Sequence, residues 1–232
     1  MKNLIKPLEI CLNDKQNEQF KQYYHYLLEE NKKYNLTGLT TKEDIYIKHF
    51  YDSLTLLKTT KITNSNLLDI GSGAGFPGIP LKIATTLNLT MIEAQKKKAL
   101  FLNNLLKELN LEATVINKRV EDLPKNYLNS YDIVTARAVA SLQVLSELAL
   151  PFVKKGGYFI AMKSGHYQNE LNEAKRGIMI LGSEIEEVIE FSLPEKKGKR
   201  ALIVIKKLQV IDGYPRPYQL ILKKPLGSDE NE

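Results

Sequence analysis

Asp69 heads the stretch DIGSGAGFPG, residues 69–78, in which four glycines and a proline follow one carboxylate. Within it GAGFPG matches G-x-G-x-x-G. In that pattern a glycine turn off a strand lets a ligand approach the backbone and a helix N-terminus. A dinucleotide pyrophosphate beside Asp69 meets like-charge repulsion of roughly 1–4 kcal/mol at surface-like dielectric. S-adenosylmethionine has no phosphate and carries a sulfonium and an ammonium, so a carboxylate at the loop's mouth favours it. Glu93 ends the next apolar run, 22 residues past Gly71. There a carboxylate accepts both ribose hydroxyls, which suits adenosine in either cofactor. Asp69, Gly71, Gly73, Gly75 and Glu93 are therefore the candidate cofactor residues.

Other polar residues invite chemistry. His49, Asp52 and Ser53 fall on one arc of a helical stretch. A nucleophilic triad needs its serine on a strained turn with the acid behind the histidine, which one helix does not supply. A solvated polar face and a part in shaping a site mouth both stay open. One cysteine, Cys11, and three histidines offer no metal-ligand spacing, so no metal is expected. Arg137 and Lys163 stand at strand ends on the ligand side, as surface charges or as positioning and RNA-contacting groups. Tyr34, Phe76 and Tyr167 are stacking candidates, with core packing the alternative.

The elements around these residues come in two styles. Residues 14–33 read as a helix with Phe20, Tyr24, Leu27 and Leu28 on one side. A second helix fits residues 40–58, with Ile47, Phe50, Leu54 and Leu57 as its apolar stripe. From residue 66 on, short apolar runs at 66–70, 89–94, 112–117, 131–136 and 158–163 alternate with helical stretches near 78–87, 95–109 and 141–152. That alternation predicts a parallel α/β sheet. A further helix fits 167–181. EEVIEFSL and RALIVIKK, joined by PEKKGK, predict an antiparallel ending. The expected organisation is a helical extension over 1–60, a sheet domain over 61–207 and a basic tail over 208–232 that ends in a flexible acidic segment.

The 232-residue chain is 43% hydrophobic and 26% charged, ordinary for a globular protein. Its start shows no signal-peptide pattern and no run is long and apolar enough to span a membrane, so the cytoplasm is the expected compartment. Charge is uneven. Residues 196–224 hold nine basic groups against Asp212 alone, a local +8 in a chain of net +6. Lys196, Lys197, Lys199 and Arg200 lead that segment. Charge alone leaves a polyanion contact and a solubilising surface equally open.

Several stretches together resemble the bacterial RsmG (GidB) family of small-subunit ribosomal RNA methyltransferases. They are YNLTGLT (34–40), HFYDSL (49–54), DIGSGAGFPGIPLKI (69–83), KRVEDL (118–123), TARAVASL (135–142) and MKSG (162–165), in the family's order. The closing YPR and KKPL resemble tails found in part of the family. The resemblance implies a Rossmann-like class I fold, S-adenosyl-L-methionine as cofactor, and methylation of a guanine N7 in the 530 loop of 16S rRNA, on free RNA or a small-subunit particle. The expected state is a monomer. By motif, cofactor contacts carry over to Gly71, Phe76, Val120, Glu121 and Arg137, with Val120 and Glu121 flanking the adenine. Ala74 and Phe76 stand where relatives often have a small residue or leucine.

The residues suit that acceptor. Methylation at a pyrimidine C5 needs a cysteine nucleophile near the cofactor, and Cys11 lies far upstream of the sheet. Methylation of an exocyclic amine resembles an Asn/Asp-Pro-Pro-aromatic motif after the fourth strand, where this chain has TARAVASL. Guanine N7 offers a lone pair and no proton to remove, so placement alone can carry the step. A methyltransferase for another RNA, a protein or a small molecule, a nucleotide-dependent oxidoreductase and a non-catalytic RNA-binding protein are the rival readings.

Overall fold

The computed structural model describes residues 1–59 and 61–228. The acidic residues 229–232 lie outside that range. Seven strands make one mostly parallel sheet with antiparallel C-terminal strands. The chain divides into two compact units, Met1–Lys118 with Leu193–Lys197, and Arg119–Ser192 with the residues from Gly198 on.

In the first unit, α1 (Asp14–Tyr34) starts with a capping box. Asn13 accepts from the Gln16 amide and Gln16 accepts from the Asn13 amide, each at 2.8 Å. Its inward face is Phe20, Tyr23 and Leu27. Tyr23, not Tyr24, completes the stripe, and Tyr24 meets Tyr46 edge-on at 5.6 Å instead.

The second predicted helix is not uniform. It runs as α2 (Lys42–Ile45), a π-helical turn (Tyr46–Tyr51), α3 (Asp52–Leu54) and a 3-10 turn (Thr55–Thr59). The predicted stripe Ile47, Phe50 and Leu54 is buried, and so is every residue from 50 to 56, so this stretch is enclosed on all sides. Asp52 and Ser53 are 3% and 0% exposed, which rules out the solvated polar face as their setting.

Strands β1 (Asn66–Ile70), β2 (Asn88–Ile92) and β3 (Thr114–Ile116) follow in spatial order β3-β2-β1, all parallel. Their crossovers are α4 (Gly78–Ala84) and α5 (Lys96–Glu108), on which α1 packs. Ile70 pairs with Ile92, so β1 and β2 end level and bring the glycine loop and Glu93 to one edge.

In the second unit, β4 (Tyr131–Arg137) lies parallel to β5 (Val153–Ser164). The antiparallel strands β6 (Ser183–Ser192) and β7 (Lys199–Lys207) complete the order β4-β5-β7-β6. Helices α6 (Leu142–Ala149) and α7 (Gln168–Ile180) pack together. The basic tail contains a helix that the sequence reading missed, α8 (Tyr218–Lys223), against α6. Arg216 anchors this segment: its guanidinium holds the fully buried Glu147 carboxylate with two 2.7 Å bonds. Among the described residues no helix is long and apolar enough to cross a membrane.

Candidate active site

β1 runs into a loop whose turns demand glycine. Gly71, Gly73 and Gly75 have φ of 69°, 57° and 96°, a region costly for any side chain. A Cβ on Gly75 would also stand 2.7 Å from both Ile79 Cδ1 and the Tyr23 hydroxyl. That hydroxyl donates to Ala74 O at 2.5 Å, tying α1 to the loop.

The loop's N–H groups are already directed inward. Gly71 and Ser72 donate to Ile92 O, and Gly75 and Phe76 donate to Ser72 O. Gly73 N donates to Glu93 Oε2 at 2.9 Å, and Gln95 N donates to Glu93 Oε1 at 2.8 Å. A pyrophosphate would have to take these donors from their acceptors while facing the Glu93 carboxylate. Glu93, 6% exposed, keeps about half of its lone-pair directions beyond these two bonds.

Asp69 lies elsewhere than expected. It is fully buried, and its Oδ2 accepts from Gly78 N at 3.1 Å. It therefore secures the start of α4 beneath the loop and does not stand at the loop's mouth. Of the two carboxylates, Glu93 is the one that accepts from an N–H within the loop, that of Gly73.

Phe76 is also spoken for. Its ring is 5% exposed and nearly parallel to Tyr23 at 5.3 Å and to His49 at 4.3 Å. Burial leaves no room for a base to stack on it, so any cofactor contact there belongs to the backbone. His49 Nε2 meets Thr37 Oγ1 at 2.8 Å, and Thr37 is held by Asn31 through both its amide and its carbonyl. The motifs at 34–40 and 49–54 are thus one buttress behind the glycine loop. Ser53 Oγ donates to the His49 carbonyl at 2.6 Å, a local helical bond rather than a nucleophile's bond to an imidazole.

In the second unit, Val120 and Glu121 lie on a 3-10 turn, with Val120 buried. The Glu121 side chain is 9% exposed, and Arg119 Nη1 lies 3.8 Å from its Oε1. That buried oxygen has no hydrogen-bond partner, and such an acceptor suits an amino group of a ligand. Arg137 ends β4, half-buried. After it Ala138 takes φ of 56° and Val139 is 41% exposed.

Lys163 is not an open RNA contact. Its Nζ donates to Ala140 O at 2.9 Å and to Glu170 Oε2 at 2.6 Å, and the same Glu170 oxygen accepts from Leu142 N at 2.8 Å. One ion pair thereby holds both ends of the turn from Ala140 to Leu142. Glu170 gave no sequence signal, because a lone acid in a first helical turn is common. Tyr167 is buried and donates to Glu190 Oε1 at 2.9 Å, which keeps its hydroxyl protonated and removes it as a stacking platform. Tyr34 is half-buried.

The basic segment splits. Lys196 and Lys199 are exposed. Lys197 is held by Glu43 at 2.5 Å and Asp44 at 3.3 Å, and the bond to Glu43 raises its pKa. Arg200 is half-buried and donates to Lys199 O. Lys207 is 1% exposed and donates to Leu150 O and Leu181 O, carbonyls at two helix C-terminal ends. Burial pushes its pKa down to about 8.

Comparison with known proteins agrees with this geometry. The chain is 47% identical over 222 residues to the Staphylococcus saprophyticus ribosomal RNA small subunit methyltransferase G, covering 94% of this chain and 93% of that one. It is 43% identical to the protein of the same name from Lactobacillus acidophilus, covering 93% of each. A Pyrococcus furiosus methyltransferase structure superposes with TM-score 0.58 at 16% identity, over 82% of this chain and 99% of that one. A Thermus thermophilus branched-chain polyamine synthase, solved with 5'-methylthioadenosine, gives TM-score 0.56 at 14% identity over 70% of this chain and 56% of that one. These two structures share the Rossmann-like methyltransferase fold. The description "GidB: rRNA small subunit methyltransferase G" matches residues 16–202, and the chain belongs to that family.

Proposed function

We propose that the protein transfers a methyl group from S-adenosyl-L-methionine to 16S rRNA of the small ribosomal subunit, at N7 of a guanine in the 530 loop. Besides family membership, one observation carries the cofactor reading: Glu93 occupies the Gly73 N–H that a pyrophosphate would need. A phosphate-free adenosyl cofactor meets no such conflict.

Gly71, Gly73 and Gly75, with no side chains, let the cofactor lie close against the backbone, and Glu93 offers lone pairs to its ribose. The Glu121 oxygen that accepts no hydrogen bond suits the adenine amino group. For Val120 and Arg137 the support is the motif resemblance. Asp69 and Phe76 serve by holding the loop. When bound, S-adenosylmethionine supplies an electrophilic methyl on a cationic sulfur.

The protein's part is placement. Guanine N7 attacks through a lone pair, so no side chain must first remove a proton, and fixing N7, methyl and sulfur in line is worth up to about 7–11 kcal/mol. The Lys163–Glu170 pair contributes by fixing the turn after β4. The expected compartment is the cytoplasm, where the ribosomal substrate is found.

Mapping 7-methylguanosine in 16S rRNA from cells with and without this gene tests the proposal. Loss of one modified guanine in the 530 loop is expected. An unchanged map, with labelled methyl entering protein or metabolites instead, overturns it.

A further inference from the structure

A second concavity lies wholly in the second unit, beyond Lys163 along the MKSG stretch. It holds about 250 Å³ and is lined by Gly165, Gln168, Glu190, Phe191, Ser192, Lys199 and Arg200. At about 30 Å³ per water that is space for about eight waters, the scale of one nucleobase. The site is built by a close approach. A Cβ on Gly165 would stand 2.6 Å from the Lys199 Cβ, so only glycine lets the loop after β5 sit against β7.

The charges in it are mixed. Ser164 pairs with Arg200 across the β5/β7 ladder, and Ser192 pairs with Lys199 across β6/β7. Consecutive on β7, the two cations leave opposite faces of the sheet, and at the strand's first residues both still line the concavity. Glu190 lies on the neighbouring strand, its Oε1 held by the Tyr167 hydroxyl at 2.9 Å, with Gln168 Nε2 at 3.5 Å. A bare phosphate would gain the cations but meet the carboxylate. A nucleotide uses both: phosphate on Lys199 and Arg200, and a base amino group on Glu190. An unpaired nucleotide fits, because in a helix the amino group already spends one hydrogen on its pairing partner.

We infer that this pocket binds one unpaired nucleotide of the RNA substrate, its base carrying an amino group. The inference rests on the RNA reading proposed above. Glu190→Gln keeps an acceptor for Tyr167 and removes the charge, and Arg200→Ala removes a phosphate partner. Each should raise KM for a 16S rRNA transcript at least about fivefold, with S-adenosylhomocysteine affinity unchanged.

By NMR on the full chain, guanosine 5'-monophosphate should shift the Gly165 and Gln168 amides in the wild type and not in Glu190→Gln. Uridine 5'-monophosphate, which lacks an amino group, should shift them less, and inorganic phosphate least. Unchanged KM in both folded variants overturns the inference. So do equal shifts from phosphate and the guanine nucleotide. A wild type that transfers no methyl to RNA defeats the RNA reading instead, while the nucleotide titration still decides the pocket.

Discussion

Two loops at strand ends are fixed in opposite ways. The glycine loop after β1 is fixed by backbone conformation: positive φ at three glycines, inward N–H groups, and a carboxylate bound twice by amides. The turn after β4 has no glycine and is fixed by charge, through Lys163 and Glu170. The first arrangement gives one rigid shape and tolerates almost no side chain. The second depends on two long side chains that substitution can remove while the fold persists. Cofactor binding should therefore follow the first region, and transfer to the acceptor should follow the second.

The largest effect is expected at Gly75. Gly75→Ala combines an unfavourable φ with contacts to Ile79 and Tyr23, and should cost about 2–4 kcal/mol in chemical denaturation. A loss below about 0.5 kcal/mol would mean that the loop is not rigid.

Lys207 sharpens the contrast between backbone and charge in the second unit. Its folded pKa, about 8, lies below the unfolded value near 10.5. The folded state gives up this proton first, so the cost of the buried charge is fully present below pH 8 and is relieved as pH rises to 10.5. Relative to Lys207→Met, the wild type should gain about 3 kcal/mol of stability across that window. The neutral amine still has two hydrogens for the two carbonyls it meets. A flat difference between the two proteins would show that the lysine is not desolvated.

At the charge-fixed turn, Lys163→Met and Glu170→Ala should each slow single-turnover methyl transfer about tenfold, roughly 1.4 kcal/mol. Together they should do little more, since either change removes the strut. Cofactor affinity should hold in all three. Additive losses, or weakened cofactor binding, would break the division between the two loops.

Smaller still is the effect of the surface cations. Lys199→Ala should lower the salt slope of RNA binding by about 0.7–0.9, whereas Lys197→Ala should leave it unchanged because Glu43 and Asp44 already take that charge. Equal slopes for the two variants would show that the ion pairs do not occupy Lys197.

Much of this was legible beforehand. Residues 66–70 form β1 as read, and the alternation of runs predicted the mostly parallel sheet with its antiparallel ending. Both follow from local pattern. What escaped depends on enclosure and partners. Periodicity finds one apolar face and is silent where a helix is enclosed all round, so it did not place Asp52 and Ser53 inside. Charge counting treats every lysine as surface, yet Lys207 is buried beneath two helix ends and Arg216 is spent on Glu147. Asp69 and Glu93 are both carboxylates at strand ends. Only the fold shows that the first lies under the loop and the second beside it.

The difference between those two carboxylates is open to a single calorimetric comparison, titrating wild type and Glu93→Ala with S-adenosylhomocysteine and with NADH. The wild type should bind S-adenosylhomocysteine and show no heat with NADH, and Glu93→Ala should weaken the former by about 1.5–3 kcal/mol. Comparable NADH binding by the wild type, or unchanged S-adenosylhomocysteine affinity in Glu93→Ala, would contradict the assignment of this loop to a phosphate-free adenosyl cofactor.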